Sequence, residues 1–254
     1  MCKSLLPVLC ALSACGTLFA ATPIFQERFN DSGTVEYLNG AEAGPGLTTQ
    51  PGDKAYAARV ETPDPTQPQP GATVDDVSAL SGDLSQFTVT LWYKANREIQ
   101  DPDSLIHIGG FYLLWDRVRG LTMRLGLPLG GEDFSNWLSP SIKGPVLPFN
   151  AVDEWIFYAI TWNYDTRSCI IYQGTASAPA EIASEKHSFE VTGRVLGSTA
   201  SIIGNHVDGH GNVIGHRAFS GQIDNIRIYD TVLDLDAIDV IRKADLANSD
   251  PKLP

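Results

Sequence analysis

Apolar residues alternate with polar ones in short runs along most of the chain, and turn-forming residues separate the runs. QFTVTLWYK (86–94) is the clearest, with Phe87, Val89, Leu91 and Tyr93 on one face. PIFQERF, AYAARVE (55–61), SLIHIGG, FYLLWDRV, LTMRLGL, NWLSPSI, EWIFYAITWNY, SCIIYQG, SFEVTG, ASIIGN and FSGQIDNIRIY have the same character. Ten or more short strands without helical periodicity between them predict a sandwich of two antiparallel sheets. Between Gly40 and Gly71 only AYAARVE reads as a strand, and PDPTQPQPG (63–71) reads as a surface loop because proline cannot donate to a ladder. Helical spacing returns once, near the C-terminus. In LDLDAIDVIRKADLA, Leu235, Ile238, Ile241 and Ala244 fall on one stripe, and Asp234 or Asp236 lies at the positive helix end.

The last strand raises a question of its own. Counted by twos in FSGQIDNIRIY, Asp224 shares a face with Ile226 and Ile228, and a carboxylate on an apolar face is costly unless something pairs with it.

The first residues have a different pattern. MCKSLLPVLCALSACGTLFAATP carries one basic residue, Lys3, then an apolar run, then Ala20 and Ala21, which is the layout of a secretory leader covering 1–21. Leu12-Ser13-Ala14-Cys15 also resembles a bacterial lipobox, in which the leader ends at 14 and Cys15 becomes a lipidated N-terminus. Both readings imply export to a periplasmic, cell-surface or extracellular location. No later stretch is long and apolar enough to span a membrane as a helix. The expected organisation is this leader, a single domain over 22–246 and a tail over 247–254.

Three of these stretches together resemble a known family. FTVTLWYK places a Trp on an early strand, EWIFYAITWNYDT fits W-x-x-x-A-x-T, and FSGQIDNIRIYDTVLDLDAI fits G-x-I-D-x-[IV]-R-[IV]-Y followed by a short helix. In this order they resemble the LamG-like jelly roll of the concanavalin A-like lectin/glucanase superfamily, over roughly Ile24 to Lys243. The resemblance implies an all-β, two-sheet antiparallel jelly-roll sandwich with a short C-terminal helix. It also implies a structural Ca2+ held by Asp224 with backbone carbonyls of the N-terminal segment, and Glu27 of FQERF is the second carboxylate in reach. An ion pair from Asp224 to Arg227 or Arg28 is the competing reading. The scaffold hosts lectins, adhesion modules and carbohydrate-active enzymes alike, so it leaves the function open.

Composition narrows the choice. The 254 residues carry a formal charge of −12, which disfavours nucleic acid as a partner and favours cations. Of the four cysteines only Cys169 lies beyond the leader, within SCIIY, where it reads as a small buried hydrophobe. The resemblance implies an E-x-D-x-x-E strand in those relatives that hydrolyse glycosides with two carboxylates, and this chain has none. Glu132-Asp133, Asp75-Asp76 and Asp153-Glu154 stand in loop contexts at other spacings.

Two groups of residues point to ligand binding. His206, His210 and His216 crowd a glycine-rich stretch, NHVDGHGNVIGHR, suited to a saccharide hydroxyl or a divalent metal. Trp92, Trp155 and Trp162 fall within the strand motifs and are expected in the core. Tyr112, Trp115 and Trp137 stand in less regular stretches, where flat rings can form an exposed platform for sugar faces. The leading expectation is an exported, non-catalytic module that binds a glycan or another surface polymer. A structural or adhesion protein that contacts another protein, and a carbohydrate-active enzyme with an unrecognised site, remain as alternatives.

Overall fold

A computed structural model describes residues 21–31, 33–60, 66–98, 103–116, 120–125, 151–187, 201–206 and 217–253. These residues form two sheets. The first joins β1 (Phe25–Glu27), β3 (Glu42–Pro45), β4 (Lys54–Ala58), β6 (Gln86–Ala95), β10 (Trp155–Asn163), β11 (Ser168–Thr175), β12 (Glu181–His187) and β14 (Gly221–Tyr229). Its order is β12-β11-β10-β6-β14-β4-β3, with β1 also pairing β14. The second contains β2 (Val35–Leu38), β5 (Gly71–Val74), β7 (Ser104–Ile108), β8 (Phe111–Asp116), β9 (Gly120–Leu125) and β13 (Ser201–Ile203). Its order is β2-β5-β13-β7-β8-β9. Every strand pair is antiparallel, and one helix, α1 (Leu235–Leu246), follows the last strand. The expected all-β jelly-roll sandwich with a short C-terminal helix is what the chain forms.

The alternation in β6 decides what each face does. Phe87, Val89, Leu91 and Tyr93 turn into the space between the sheets, where they meet Ile156, Ile160, Ile106 and Phe111. Thr88, Thr90 and Trp92 point the other way, to the outer face of the first sheet. There Trp92, Phe157 and Tyr172 pack against Ile238 and Ile241 of α1. Trp162 is buried between the sheets, whereas Trp155 is only partly buried on the outer face. Cys169 is buried, as its setting in SCIIY implies.

Several strands lack a legible pattern. The turn-rich segment after Gly40 contains β3, which the sequence does not suggest. It pairs with β4 at a sheet edge and ends at Pro45, where the missing N–H is tolerated. β2 and β12 are also edge strands, and β5 lies next to an edge. Edges bury one side less completely, so their sequences are free to carry charge.

The helix is fixed to the sheet by polar contacts as well as apolar ones. Asp234 caps it, its side chain accepting from Ala237 N at 2.9 Å. Fully buried Asp245 accepts from Arg227 of β14 at 2.5 Å and from Trp92 Nε1 of β6 at 3.0 Å. Arg242 donates to the Thr175 carbonyl at 2.8 Å, and Asp239 accepts from Ala180 N at 3.0 Å. Removing one partner of a buried pair strands the other charge away from water. Asp245→Asn is therefore expected to lower the unfolding free energy by about 3–5 kcal/mol, as read by urea titration. A loss under about 1 kcal/mol, the size of an exposed pair, would show that the pair does not anchor the helix.

Candidate functional site

Asp224 has a full set of local reasons for its position. The pairing of β14 with β6 slips between Asp224 and Arg227, and Asn225 takes a positive φ of 50°. That is a β-bulge: one extra residue shifts the phase of the strand. Asp224 stands opposite Trp92 and so faces outward, whereas Ile226 and Ile228 return to the core. The shared face expected from counting by twos is corrected here, because alternation does not hold across a bulge. Asp224 is nevertheless 0% exposed. Its Oδ2 accepts from Leu47 N at 2.9 Å and its Oδ1 from Asn225 N at 2.7 Å. The carboxylate thus closes its own bulge and ties down the loop between β3 and β4. Asp53 braces the same loop from within, accepting from Thr48 N at 2.6 Å and from the Thr48 hydroxyl at 2.8 Å.

Burial pushes the Asp224 carboxyl well above the usual aspartate range; the two N–H donors oppose this, and the charges of Asp53 and Asp245 add to it. Glu27 is also raised by burial, against hydrogen bonds that include the Phe29 N–H. The two expected metal ligands do not share a hydrogen-bond partner. Glu27 lies opposite Ile226 on the inward face of β1, while Asp224 faces outward. They meet electrostatically at Tyr37, whose hydroxyl is raised to about 12 by burial, with both carboxylates adding to the shift. Among the described residues no group of three or more His, Cys, Asp or Glu is arranged to hold a metal ion. Neither expected ion pair of Asp224 forms, since Arg227 pairs with Asp245 and Arg28 pairs with Asp250.

A second cluster lies on the outer face of the other sheet. His107 of β7 stands opposite Tyr112 of β8, and their rings are neighbours at 5.3 Å. The His206 ring lies across both, stacked on Tyr112 at 3.8 Å and 14° and on His107 at 4.4 Å and 17°. Arg217 Nη1 donates to the Tyr112 hydroxyl, and the guanidinium carbon sits 5.8 Å from the centre of that ring. The backbone fixes these positions. Gly204, just after β13, has φ +73°, and a Cβ there would overlap the Tyr56 ring and hydroxyl. Its N–H donates to the Leu105 carbonyl at 2.7 Å, and its carbonyl accepts from Phe219 N at 2.9 Å. Asn205 then donates to the Pro70 carbonyl and accepts from His206 N at 2.8 Å, which sets the imidazole over the strand pair. Ser104 N donates to the Arg217 carbonyl at 2.8 Å, holding Arg217 beside the start of β7.

Tyr112 and His206, distant in the sequence and read there for separate reasons, thus come together. Tyr112 is not the exposed platform ring expected of it: at 1% exposure it is covered by His206 and Arg217. The partly accessible members are His107 and Arg217, neither of which the sequence marked out. Only the outward alternation of His107 in SLIHI carried a signal for it, and Arg217 carried none. Trp115 belongs to β8 through its backbone pairing with Leu121, and nothing is described of its side chain. Trp137, His210, His216 and Cys15 lie outside the described residues.

The two sheets, the capping helix and the bulged last strand define a lectin-like jelly-roll domain. Residues 66–239 match the concanavalin A-like lectin/glucanases superfamily, more than half of the chain, and the protein belongs to that family. No protein of curated function matches the chain. Among solved structures it is similar to domain 4 of AbnA, a GH43 extracellular arabinanase from Geobacillus stearothermophilus, in complex with arabinotriose. Identity is 15% and the TM-score 0.55, over 90% of this chain and 100% of that one. It is also similar to the binding domain of botulinum neurotoxin DC in complex with rat synaptotagmin II, at 13% identity and TM-score 0.52, over 83% of this chain. There the match spans 46% of the toxin domain. At such identities the likeness establishes the fold.

The placement of His206 hinges on Gly204. Gly204→Ala is expected to destabilise the protein by about 1–3 kcal/mol and to release the imidazole stack, seen as a changed His206 ring signal in NMR. Unchanged stability and an unchanged His206 signal would show that the turn does not position the ring.

Proposed function

We propose that this protein is an exported, non-catalytic module that binds glycan through the outer face of its second sheet. The observation that carries this reading is the cluster of Tyr112, His206, His107 and Arg217. Its accessible members, His107 and Arg217, present imidazole and guanidinium nitrogens that bond sugar hydroxyls, held in place by the buried Tyr112–His206 stack. The first sheet has its outer face occupied by α1; among the described residues no helix lies over the second. The complex of the arabinanase domain with arabinotriose supports the same class of ligand for this scaffold. Export rests on the leader, processed near Ala20 or Ala21 or lipidated at Cys15.

The mature protein is expected to be retarded in an affinity gel containing a polysaccharide it binds. His107→Ala and His206→Ala should each abolish most of that retardation without loss of the folded circular dichroism signal. Failure of the parent to bind any member of a broad glycan array would reject the reading, and capture of a protein partner alone would favour the adhesion alternative.

Calcium belongs to the same proposal, at the bulge. Asn225 Oδ1 is buried and has no hydrogen-bond partner among the described residues. It stands beside the fully buried Asp224, and amide and carboxylate oxygens are the donors a hard cation takes. Asp224 and Asn225 would hold the ion, with Glu27 on the other face of the sheet a more distant contributor. Bound there, the ion supplies positive charge that offsets the burial of the carboxylate.

The sign of the pH dependence follows from the raised carboxyls. A carboxyl raised in the folded state contributes stability fully below the ordinary carboxylate range, and that contribution is lost as pH rises through the folded value. Chelated protein should therefore melt at a lower temperature near about pH 7 than near about pH 4, as far as Glu27 and Asp224 decide it. Added Ca2+ should raise the melting temperature at the higher pH far more than at the lower, and Asp224→Asn should remove that increment. Identical melting with EDTA and with CaCl2 at neutral pH would sink the calcium reading.

A further inference from the structure

We infer that the cluster on the second sheet recognises an acidic saccharide, one bearing carboxylate or sulfate groups. This deepens the glycan reading and rests on it. The carrying observation is the electrostatic isolation of Arg217. Among the described residues no carboxylate pairs with it, in a chain whose acidic residues outnumber its basic ones by 12. Asp103, beside the β7 start that holds Arg217, is engaged by both terminal nitrogens of Arg97, at 2.8 and 3.2 Å. Arg28, Arg227 and Arg242 are likewise paired, with Asp250, Asp245 and Asp239. Arg217 alone among these partly or wholly buried arginines points its fork at a neutral tyrosine hydroxyl. Its Nε is buried and has no hydrogen-bond partner among the described residues.

A guanidinium taken partly out of water without a counter-ion is costly. An anion that meets the fork in a bidentate manner recovers that cost, and carboxylate and sulfate oxygens suit the geometry. The rings beside Tyr112 are imidazoles. His107 and His206 stand against Tyr112, and the register places Arg124 of β9 opposite Tyr112 on the other side. The row across the sheet then runs from Arg124 through Tyr112, His107, Ile202 and Thr73 to Glu36, so its one carboxylate is four strands from Tyr112, on the edge strand β2. A saccharide with a hydroxyl at His107 and its acidic group towards Arg217 uses both accessible members of this arrangement.

The test is isothermal titration of the full mature chain with an oligogalacturonate, a sulfated oligosaccharide, an uncharged arabino-oligosaccharide and inorganic sulfate. The expected result is at least about tenfold tighter binding of an acidic oligosaccharide than of the uncharged one, weakening as salt rises. Arg217→Gln should lower acidic affinity about tenfold or more, and Arg217→Lys, which keeps the charge but loses the fork, should fall between. Equal affinity for acidic and uncharged sugars overturns the inference while leaving glycan binding in place, and this comparison needs no variant. Undiminished acidic binding by a folded Arg217→Gln protein overturns the assignment of the residue. Inorganic sulfate binding as tightly as the sulfated sugar overturns the saccharide part, and binding of no sugar at all rejects the glycan reading itself.

Discussion

The single extra residue in β14 is the constraint on which the rest of the architecture depends. β14 is held by β6 along one side and by β4 and then β1 along the other, so it joins the beginning, middle and end of the chain. Strict alternation from Ile223 would send Asn225 and Arg227 into the core and turn Ile226 and Ile228 out. The bulge avoids this. Asn225 takes up the phase at positive φ, a conformation asparagine tolerates better than most residues. Ile223, Ile226 and Ile228 then all face the core, and Asp224 and Arg227 both face outward.

Both outward charges are put to structural use. Arg227 reaches Asp245, which also receives the Trp92 indole N–H, so one buried pair orders the helix, the last strand and β6 together. Asp224 receives two backbone N–H groups and draws the loop after β3 onto the same face. The outer face of the first sheet is thereby committed to stability. The outer face of the second sheet carries imidazole, phenol and guanidinium groups instead.

How much of this was legible in the sequence depended on the range of the interaction. Central strands such as β6 and β10 are legible because burial on both faces makes them long runs rich in apolar, aromatic and β-branched residues. The helix carried its own cap, Asp234, and its own stripe. Edge strands β2, β3 and β12 were not legible, since partial exposure relaxes their pattern. The bulge was hidden for another reason. Counting by twos presumes one residue per partner residue, and only the pairing with β6 reveals two against one. Asp224 could be recognised as a buried carboxylate with a structural role, but not which face it occupied. The Tyr112–His206 stack was out of reach altogether, because it depends on Gly204 clearing Tyr56 of a strand in the opposite sheet.

Arg217 departs from the way the other buried charges of this fold are paired. A residue that serves only stability in this fold finds its partner close by: Arg242 and Lys243 meet Asp239 within one helical turn, and Arg97 meets Asp103 across a short loop. Arg227 and Arg28 reach further along the chain, and both still end on a carboxylate. Arg217 is held by its backbone beside the start of β7, its hydrogen bond goes to a phenol, and its Nε is buried without a partner among the described residues. For a folded state alone, an apolar residue at that position would cost less, because it would carry no charge to desolvate. The guanidinium is explained if its partner arrives from outside the chain, and the geometry of a planar fork beside stacked rings specifies a flat, anionic, hydroxyl-rich ligand better than a point cation would.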